Sequence, residues 1–136
     1  MKTAYYIDTN VFIAAIQLDP NAMKILLDVA TGVLKASTSC LTWDEFVWTV
    51  RKTISIEASK DKGDKFLAIP NLEFIDVRLD IIQKAQELAR THGLKPRDSI
   101  HVACAMSKNI KEIITDDQDF NGIDGLKRIP IVEFFG

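Results

Sequence analysis

Short apolar segments alternate with longer amphipathic segments along the whole chain. The first apolar segment, TAYYI at residues 3–7, is rich in β-forming residues and ends on Asp8, which is typical of a buried strand. Four later segments share this character and are predicted as strands: residues 33–38, 72–77, 112–115 and 130–135. The sequence therefore predicts five short strands.

The segments between these strands place their apolar residues at helical spacing. Asp19 followed by Pro20 predicts the start of a helix, and Gly32 predicts its end. TWDE at residues 42–45 has the pattern of a capping box, which predicts a helix that begins there and continues through Val50. The other predicted helices follow Asp8, cover residues 56–69 and 80–92, and start at Pro96.

The alternation of strands and helices predicts the fold class. Strands linked by helices form a mostly parallel sheet, so we expect an α/β protein with a three-layer α/β/α sandwich. A chain of 136 residues with 47% hydrophobic positions can bury one core, so we expect a single domain over residues 1–136. No apolar run is long enough to cross a bilayer and Asp8 interrupts any apolar signal segment, so we expect a cytoplasmic protein without a membrane partner.

Cysteine content and net charge exclude several classes of function. Cys40 and Cys104 form no CxxC pair and accompany no histidine cluster, which argues against a disulfide framework and against a zinc site. We expect both cysteines to be buried. The formal net charge of −2 argues against a protein that coats nucleic acid by overall electrostatics, so any contact with nucleic acid would be local.

Acidic residues follow or precede the predicted strands in several distant segments. Asp8 ends the first strand, Glu45 lies in the first turn of the helix after the second, and Asp98 lies in the first turn of the helix before the fourth. Three more acids follow the fourth strand directly: Asp116, Asp117 and Asp119. Because the carboxyl ends of parallel strands share one edge, we expect these four segments to bring their carboxylates together.

Each acid also has a purely structural explanation. Asp8 could cap the next helix, Glu45 could complete the capping box and Asp98 could interact with a helix dipole, while the acids at residues 116–119 could form a polar loop. Carboxylates that share one edge, however, repel one another and raise each other's pKa unless a cation compensates. A donor set made of oxygen alone favours Mg²⁺ or Mn²⁺, the ions used for phosphodiester hydrolysis.

The histidine and tryptophan residues leave alternatives open. His101 lies three residues after Asp98 and could orient that carboxylate, although a core-facing histidine with its own partners is the expectation. We expect Trp43 and Trp48 to pack in the core, whereas an exposed tryptophan would suit a protein interface or stacking on an unpaired base. The sequence contains no nucleophile elbow, no GxGxxG and no P-loop.

Four motifs occur in the order found in PIN-domain ribonucleases. They are IDTNVFI at residues 7–13, LTWDEF at 41–46, KPRDSIHVACA at 95–105 and ITDDQDF at 114–120. From Asp8 to Phe120 the chain resembles the VapC-type toxin branch of that family, which implies a PIN-like α/β/α fold.

The resemblance also implies which residues form the site. It gives a catalytic acidic quartet and assigns three of its members as metal ligands, Asp8, Asp98 and Asp117, with Glu45 as the fourth catalytic acid. Asn10 matches the polar residue of the family's D-x-N/S start, and Thr115 matches the hydroxyl before the last acid. Because the acid after Thr115 is doubled, the family pattern selects Asp117 and Asp119 and leaves Asp116 as their neighbour.

The activity implied by the resemblance is that of a Mg²⁺- or Mn²⁺-dependent endoribonuclease acting on structured RNA or mRNA. Members are usually homodimers and are often neutralised by a small antitoxin whose tail enters the acidic groove. Four basic residues are candidates for RNA contacts near this edge: Arg51, Lys52, Lys95 and Arg97. Two alternatives stay open, an RNA-processing nuclease without an antitoxin and a non-catalytic module that binds metal or RNA.

Overall fold

A computed structural model describes residues 2–136. These residues include five parallel strands that form one sheet. The strands are β1 (Ala4–Ile7), β2 (Lys35–Ser39), β3 (Leu72–Ile75), β4 (Glu112–Ile114) and β5 (Lys127–Ile129). Their order in the sheet is β3-β2-β1-β4-β5, and each neighbouring pair is parallel. Because β1 is central and Tyr6 is in register with both Ser37 and Ile113, the residues after β1 lie between those after β2 and β4.

Six α-helices connect and cover these strands within the described residues. They are α1 (Thr9–Ile16), α2 (Pro20–Ala30), α3 (Cys40–Thr53), α4 (Ile56–Leu67), α5 (Leu79–His92) and α6 (Pro96–Ser107). Two short 3-10 helices, Gln118–Phe120 and Ile131–Glu133, follow β4 and β5. None of the helices in residues 2–136 combines the length and apolarity needed to cross a membrane.

The alternation of side chains along the strands divides the core into two parts. Tyr6 and Ile113 pack with residues of α5 and α6, whereas Ile7 and Ile114 pack with residues of α1 to α4. All four side chains are fully buried, and burial of one large apolar side chain stabilises a fold by roughly 1.5–3 kcal/mol. A sheet buried on both faces by helices confirms the predicted three-layer α/β/α sandwich.

The prediction of the last strand was wrong. The strand was expected at residues 130–135, but β5 lies before it at Lys127–Ile129, and Ile131–Glu133 forms a 3-10 helix. Pro130 has no backbone N–H to donate and separates the two elements. Because β5 is an edge strand whose first two residues are Lys127 and Arg128, it lacks the apolar pattern that signals a buried strand.

The predicted capping box at residues 42–45 was also wrong. Helix α3 begins at Cys40, and its N-cap residue Ser39 makes no side-chain capping hydrogen bond. Thr42 is instead buried inside the helix, with its hydroxyl 2.6 Å from that of Thr38. Glu45 consequently lies in the second turn of α3 and not in the first, so its carboxylate is free to contact other parts of the fold.

Three side chains expected in the core lie at the surface. Cys40 is exposed at the start of α3, whereas Cys104 is buried as expected. Trp43 and Trp48 are 42% and 54% exposed, because the buried stripe of α3 runs instead through Thr42, Phe46 and Val50. The spacing of the two tryptophans in the sequence did not indicate that both indole rings would be exposed to solvent.

Candidate active site

The cluster of acids lies at the carboxyl edge of the sheet. Asp8 directly follows β1, Glu45 comes from α3, Asp98 lies in the first turn of α6 and Asp117 follows β4. Glu45, Asp98 and Asp117 line a single cleft of about 690 Å³. Asp8 lies beside it and is close enough for its charge to act on Asp98. The structure therefore brings the predicted acidic quartet to one place.

Three of the acids approach most closely. Asp98, Asp117 and Asp119 each offer a carboxylate oxygen, and these oxygens lie within 4.8 Å of one another. The backbone N–H of Asp119 donates to Asp117 Oδ1 at 2.9 Å, which orients that carboxylate. Lys95 Nζ lies 3.2 Å from Asp119 Oδ2 and offsets part of the negative charge. Asp119, which the family pattern selects together with Asp117 and which was expected to support the site, thus belongs to its closest group.

Asp8 is both a helix cap and a member of the acidic site. Its Oδ1 accepts a hydrogen bond from the Thr9 N–H at 2.8 Å, so it caps α1. Its Oδ2 accepts from Asn10 Nδ2 at 3.1 Å and from the Thr115 hydroxyl at 2.7 Å. With only 6% of its surface exposed, Asp8 is held rigidly by donors from α1 and from the end of β4.

Thr115 links the ends of the two central strands. Besides donating to Asp8, its Oγ1 accepts from Asn10 Nδ2 at 2.8 Å and from the Asp117 N–H at 3.0 Å. Asn10 also accepts from the Asp116 N–H at 3.3 Å. The fully buried Thr115 hydroxyl therefore fixes the loop after β4 relative to the loop after β1.

Asp116 serves the fold and lies apart from the closest acidic group. Its Oδ1 accepts a hydrogen bond from the Ile131 N–H at 2.8 Å, at the start of the last 3-10 helix. The two adjacent acids thus have different surroundings, because Asp117 lines the cleft while Asp116 bonds to the segment after β5.

Two unpredicted contacts of Glu45 come from His101 and Thr9. His101 Nε2 lies 2.5 Å from Glu45 Oε1, and the Thr9 hydroxyl donates to the same oxygen at 2.9 Å. His101 Nδ1 lies 2.6 Å from the hydroxyl of Tyr6. The expectation of a buried histidine with its own partners is confirmed. The spacing of three residues from Asp98 put His101 on the right side of α6, but no local signal names Glu45 as its partner.

The protonation equilibria of the acids reflect their crowding. Burial, and then the charges of Asp117, Asp8 and Asp119, raise the pKa of Asp98 to about 6. Burial likewise raises the pKa of Asp8, in spite of the opposing effects of His101 and Thr115. Burial also acts to raise the pKa of Glu45, but the hydrogen bonds of His101 and Thr9 and the charges of His101 and Arg97 together outweigh it, and the pKa of Glu45 is lowered.

The predicted basic residues divide into two groups. Lys95 and Arg97 line the acidic cleft on either side of Pro96. Arg51 lies in the last turn of α3 and lines a different groove, between α3 and α4, while Lys52 Nζ lies 5.4 Å from the centroid of the exposed Trp48 ring. Only the pair from the start of α6 accompanies the acids.

The donor set fits a hard divalent cation. Asp98, Asp117 and Asp119 offer oxygen ligands alone, which suit Mg²⁺ and Mn²⁺ better than softer metals. Burial, and after it repulsion from Asp117, Asp8 and Asp119, raises the pKa of Asp98, so ionisation of this carboxyl is disfavoured without a cation nearby. A bound cation would relieve that repulsion and would leave an electrostatic environment suited to an anionic substrate.

Comparisons with known proteins agree with this geometry. The sequence matches the family model described as PIN domain over residues 5–126. At the level of sequence, no curated protein matches the chain significantly.

Solved structures show the same fold at low identity. One is a toxin–antitoxin complex from Klebsiella pneumoniae, with a TM-score of 0.68 and 24% identity over 90% of this chain and 94% of that one. Another is VapBC2 from Rickettsia felis bound to a DNA fragment from their promoter, with a TM-score of 0.74 and 23% identity over 94% and 98%. The Mycobacterium tuberculosis toxin VapC20, described as cleaving the sarcin–ricin loop, has a TM-score of 0.70 and 17% identity over 85% and 92%.

Proposed function

The chain belongs to the PIN domain family, and on that premise we propose that it is a metal-dependent endoribonuclease. The observation that carries this proposal is the convergence of Asp98, Asp117 and Asp119 within 4.8 Å, in a cleft that Glu45 also lines. Within residues 2–136 the wall of this cleft contains no serine, threonine or cysteine, which favours hydrolysis by an activated water over a covalent intermediate.

Asp8, Asp98 and Asp117 would hold the metal ion, Mg²⁺ or Mn²⁺, and Asp119 would offer a further carboxylate oxygen beside those of Asp98 and Asp117. A bound ion of this kind supplies Lewis-acid chemistry, because it lowers the pKa of a water and neutralises phosphate charge. Asp98 and Asp117 are half-buried at the cleft, whereas Asp8 is held by Thr115 and Asn10. These hydrogen bonds keep the Asp8 carboxylate in place before any ligand arrives.

Glu45 acts as the proton acceptor of the reaction. Its lowered pKa keeps it ionised near neutral pH, and its position in the cleft wall is suited to take a proton from the attacking water. Thr9 and His101 hold it from two sides. These two donors, together with the charge of Arg97, offset the burial of the Glu45 carboxylate and favour its ionised form.

Lys95 and Arg97 provide the local attraction for RNA. Their side chains are exposed at the mouth of the cleft, where they can contact phosphates that flank the cleaved bond. Because the net charge of the chain is −2, such local contacts have to overcome the repulsion between RNA and the acids. Arg51 and Lys52 are proposed to contact only RNA that extends beyond the cleft along α3.

Replacing Arg97 with alanine is expected to raise KM for RNA about tenfold while kcat changes little, since a phosphate contact contributes mainly to binding. The slope of log affinity against log salt concentration should fall by about one unit. Steady-state kinetics at three salt concentrations would measure both quantities. Arg90, exposed in the last turn of α5, gives a charge-matched control, and an equal effect of Arg90→Ala would refute a specific role for Arg97.

We also propose that the protein is the toxin of a toxin–antitoxin pair and is a homodimer. The support is membership of the PIN domain family together with the fold shared with a toxin–antitoxin complex from Klebsiella pneumoniae. Co-expression with the product of an adjacent short reading frame should yield a complex without ribonuclease activity, and light scattering would give the subunit count. A free monomer that cleaves RNA equally well in the presence of that product would favour an RNA-processing nuclease.

The central experiment measures cleavage of end-labelled structured RNA by the purified protein. We expect cleavage with Mg²⁺ or Mn²⁺, no cleavage with EDTA, and recovery when the metal is added in excess. DNA of the same sequence tests the preference for RNA, and Asp44→Asn, an exposed acid beside Glu45, controls for a change in net charge. RNA binding without turnover across metals and substrates would contradict the proposal and favour a non-catalytic module.

A further inference from the structure

We propose that Tyr6 and His101 form a positioning pair that fixes the Glu45 carboxylate in the cleft and keeps it apart from Asp8. The inference deepens the proposed nuclease function and rests on it, because Glu45 is a catalytic group only if the protein cleaves RNA. The contacts themselves come from three separate elements, since Tyr6 lies in β1, His101 in α6 and Glu45 in α3.

Both ring nitrogens of His101 make a hydrogen bond. Glu45 is an acceptor, so His101 Nε2 carries the proton of the 2.5 Å contact with Glu45 Oε1. His101 Nδ1 lies 2.6 Å from the Tyr6 hydroxyl, which donates to Nδ1 of a neutral imidazole and accepts from Nδ1–H of an imidazolium, so the two side chains stay bonded in either state. Tyr6 is fully buried and His101 is 1% exposed, so water does not compete for either bond.

Tyr6 also fixes the orientation of the imidazole ring. The two rings pack edge to face, with centroids 5.6 Å apart and an interplanar angle of 65°. A histidine held by both a ring contact and a hydrogen bond at Nδ1 has little freedom to turn Nε2 away from Glu45. Strand β1, which Asp8 directly follows, therefore also sets the position of His101, the hydrogen-bond donor to Glu45.

Within residues 2–136 the side-chain hydrogen bonds of Glu45 all use the same oxygen. Oε1 accepts from His101 and from the Thr9 hydroxyl, at 2.5 and 2.9 Å. The second oxygen, Oε2, is therefore the one available to a water or a substrate in the cleft. A carboxylate fixed through one oxygen in this way presents the other in a defined direction.

His101 also separates two acids that would otherwise face each other. Its Nε2 lies 3.6 Å from Asp8 Oδ1 as well as 2.5 Å from Glu45 Oε1, so its N–H occupies the space between them. Two carboxylates in a buried site repel strongly unless a donor lies between them. His101 makes no hydrogen bond to Asp98, Asp117 or Asp119 within residues 2–136, so its direct contacts with acids lie on the Asp8 and Glu45 side of the cleft, while its charge also acts on Asp98.

The test compares His101→Leu, His101→Gln and Tyr6→Phe with the parent protein. His101→Leu is expected to lower kcat for RNA cleavage about 30-fold, within the tenfold to 100-fold range of groups that orient a reacting residue. KM for RNA should change less than threefold, since His101 does not touch Lys95 or Arg97. The Mn²⁺ affinity measured by calorimetry should fall much less than kcat, since His101 lies 3.6 Å from Asp8 but makes no hydrogen bond to Asp98, Asp117 or Asp119. Gln can donate to Glu45 and should recover part of kcat, while Tyr6→Phe should lower it about fivefold.

A double variant separates positioning from a purely structural role. In the Glu45→Gln background, His101→Leu should cause no further loss of kcat, because the group that it positions is already gone. The pairing would be refuted by a full additional loss there, by parent-like kcat in folded His101→Leu, or by parallel losses of kcat and Mn²⁺ affinity. His92→Gln, at an exposed histidine in the last turn of α5, is the matched control.

Proton NMR tests the contact between His101 and Glu45 without any measurement of RNA cleavage. The His101 Nε2 proton, buried in a short bond to a carboxylate, should give a downfield imidazole resonance that exchanges slowly with water. The resonance should shift or vanish in Glu45→Gln and persist in His92→Gln. Failure of the parent protein to cleave RNA would overturn the nuclease function alone, whereas absence of this resonance would overturn the positioning pair.

Discussion

Asp98→Asn is expected to abolish RNA cleavage and at the same time to raise the thermal stability of the metal-free protein. The loss of activity should be about 100-fold or more, because Asn offers a neutral amide where the proposed metal site needs a charged ligand. The gain in stability follows from the crowding around Asp98, since its carboxylate carries a charge that burial and three neighbouring acids disfavour. If Asp98 had only a structural role, its substitution would lower both the cleavage activity and the thermal stability.

The stability gained by Asp98→Asn is expected to depend on pH. The pKa of Asp98 is about 6 in the folded protein and 3.8 in its ordinary state, so between these values the folded protein binds more protons than the unfolded chain. Stability contributed by the protonated carboxyl is present below about pH 4 and is lost as the pH rises to about 6. The advantage of Asp98→Asn over the parent should therefore grow across this interval and stay constant above it.

Thermal unfolding from pH 4 to 8, with and without Mg²⁺, measures this effect. Mg²⁺ should raise the melting temperature of the parent protein and leave that of Asp98→Asn nearly unchanged, because the ion relieves the same repulsion that the substitution removes. Asp124→Asn, at an exposed acid that does not line the cleft, is the control for charge. Equal cleavage by parent and Asp98→Asn would show that the site has been assigned to the wrong residue.

Thr115→Val is expected to destabilise the fold by about 3 kcal/mol, which lowers the melting temperature of a chain of this size by about 10 °C. Valine keeps the shape but removes the donor to Asp8 and the acceptor for Asn10 and the Asp117 N–H. Asp8, which is only 6% exposed, loses one of its three hydrogen-bond donors. The free-energy cost of burying its negative charge therefore increases.

Cleavage by Thr115→Val should also decrease, because the loop that carries Asp117 loses its link to the end of β1. Urea unfolding gives the free energy, and kinetics at a temperature where the variant is fully folded give kcat. Thr53→Val supplies the comparison, since the Thr53 hydroxyl is exposed and donates only to the Thr49 carbonyl of its own helix. A change in stability no larger than that of Thr53→Val would show that Thr115 does not hold the two loops together.

Periodic patterns determined most of the fold. Residues 3–7 and 72–77 are apolar runs with β-forming residues, and Asp19-Pro20 and Gly93 mark the start of α2 and the end of α5, as the structure confirms. These signals are local, because a strand or a cap depends on residues a few positions apart. β5 escaped detection since a charged edge strand carries no buried pattern.

The sequence by itself determined the α/β alternation, the PIN domain family and the set of acids that could reach one edge of the sheet. Tertiary structure alone decided how these acids are used: Asp116 bonds to Ile131, Asp119 joins Asp98 and Asp117, and Glu45 is held by His101. The deciding hydrogen bonds join residues far apart in sequence, 56 positions for His101 and Glu45 and 107 for Thr115 and Asp8. Strand order and side-chain direction create such contacts, and neither is encoded in the local spacing of residues.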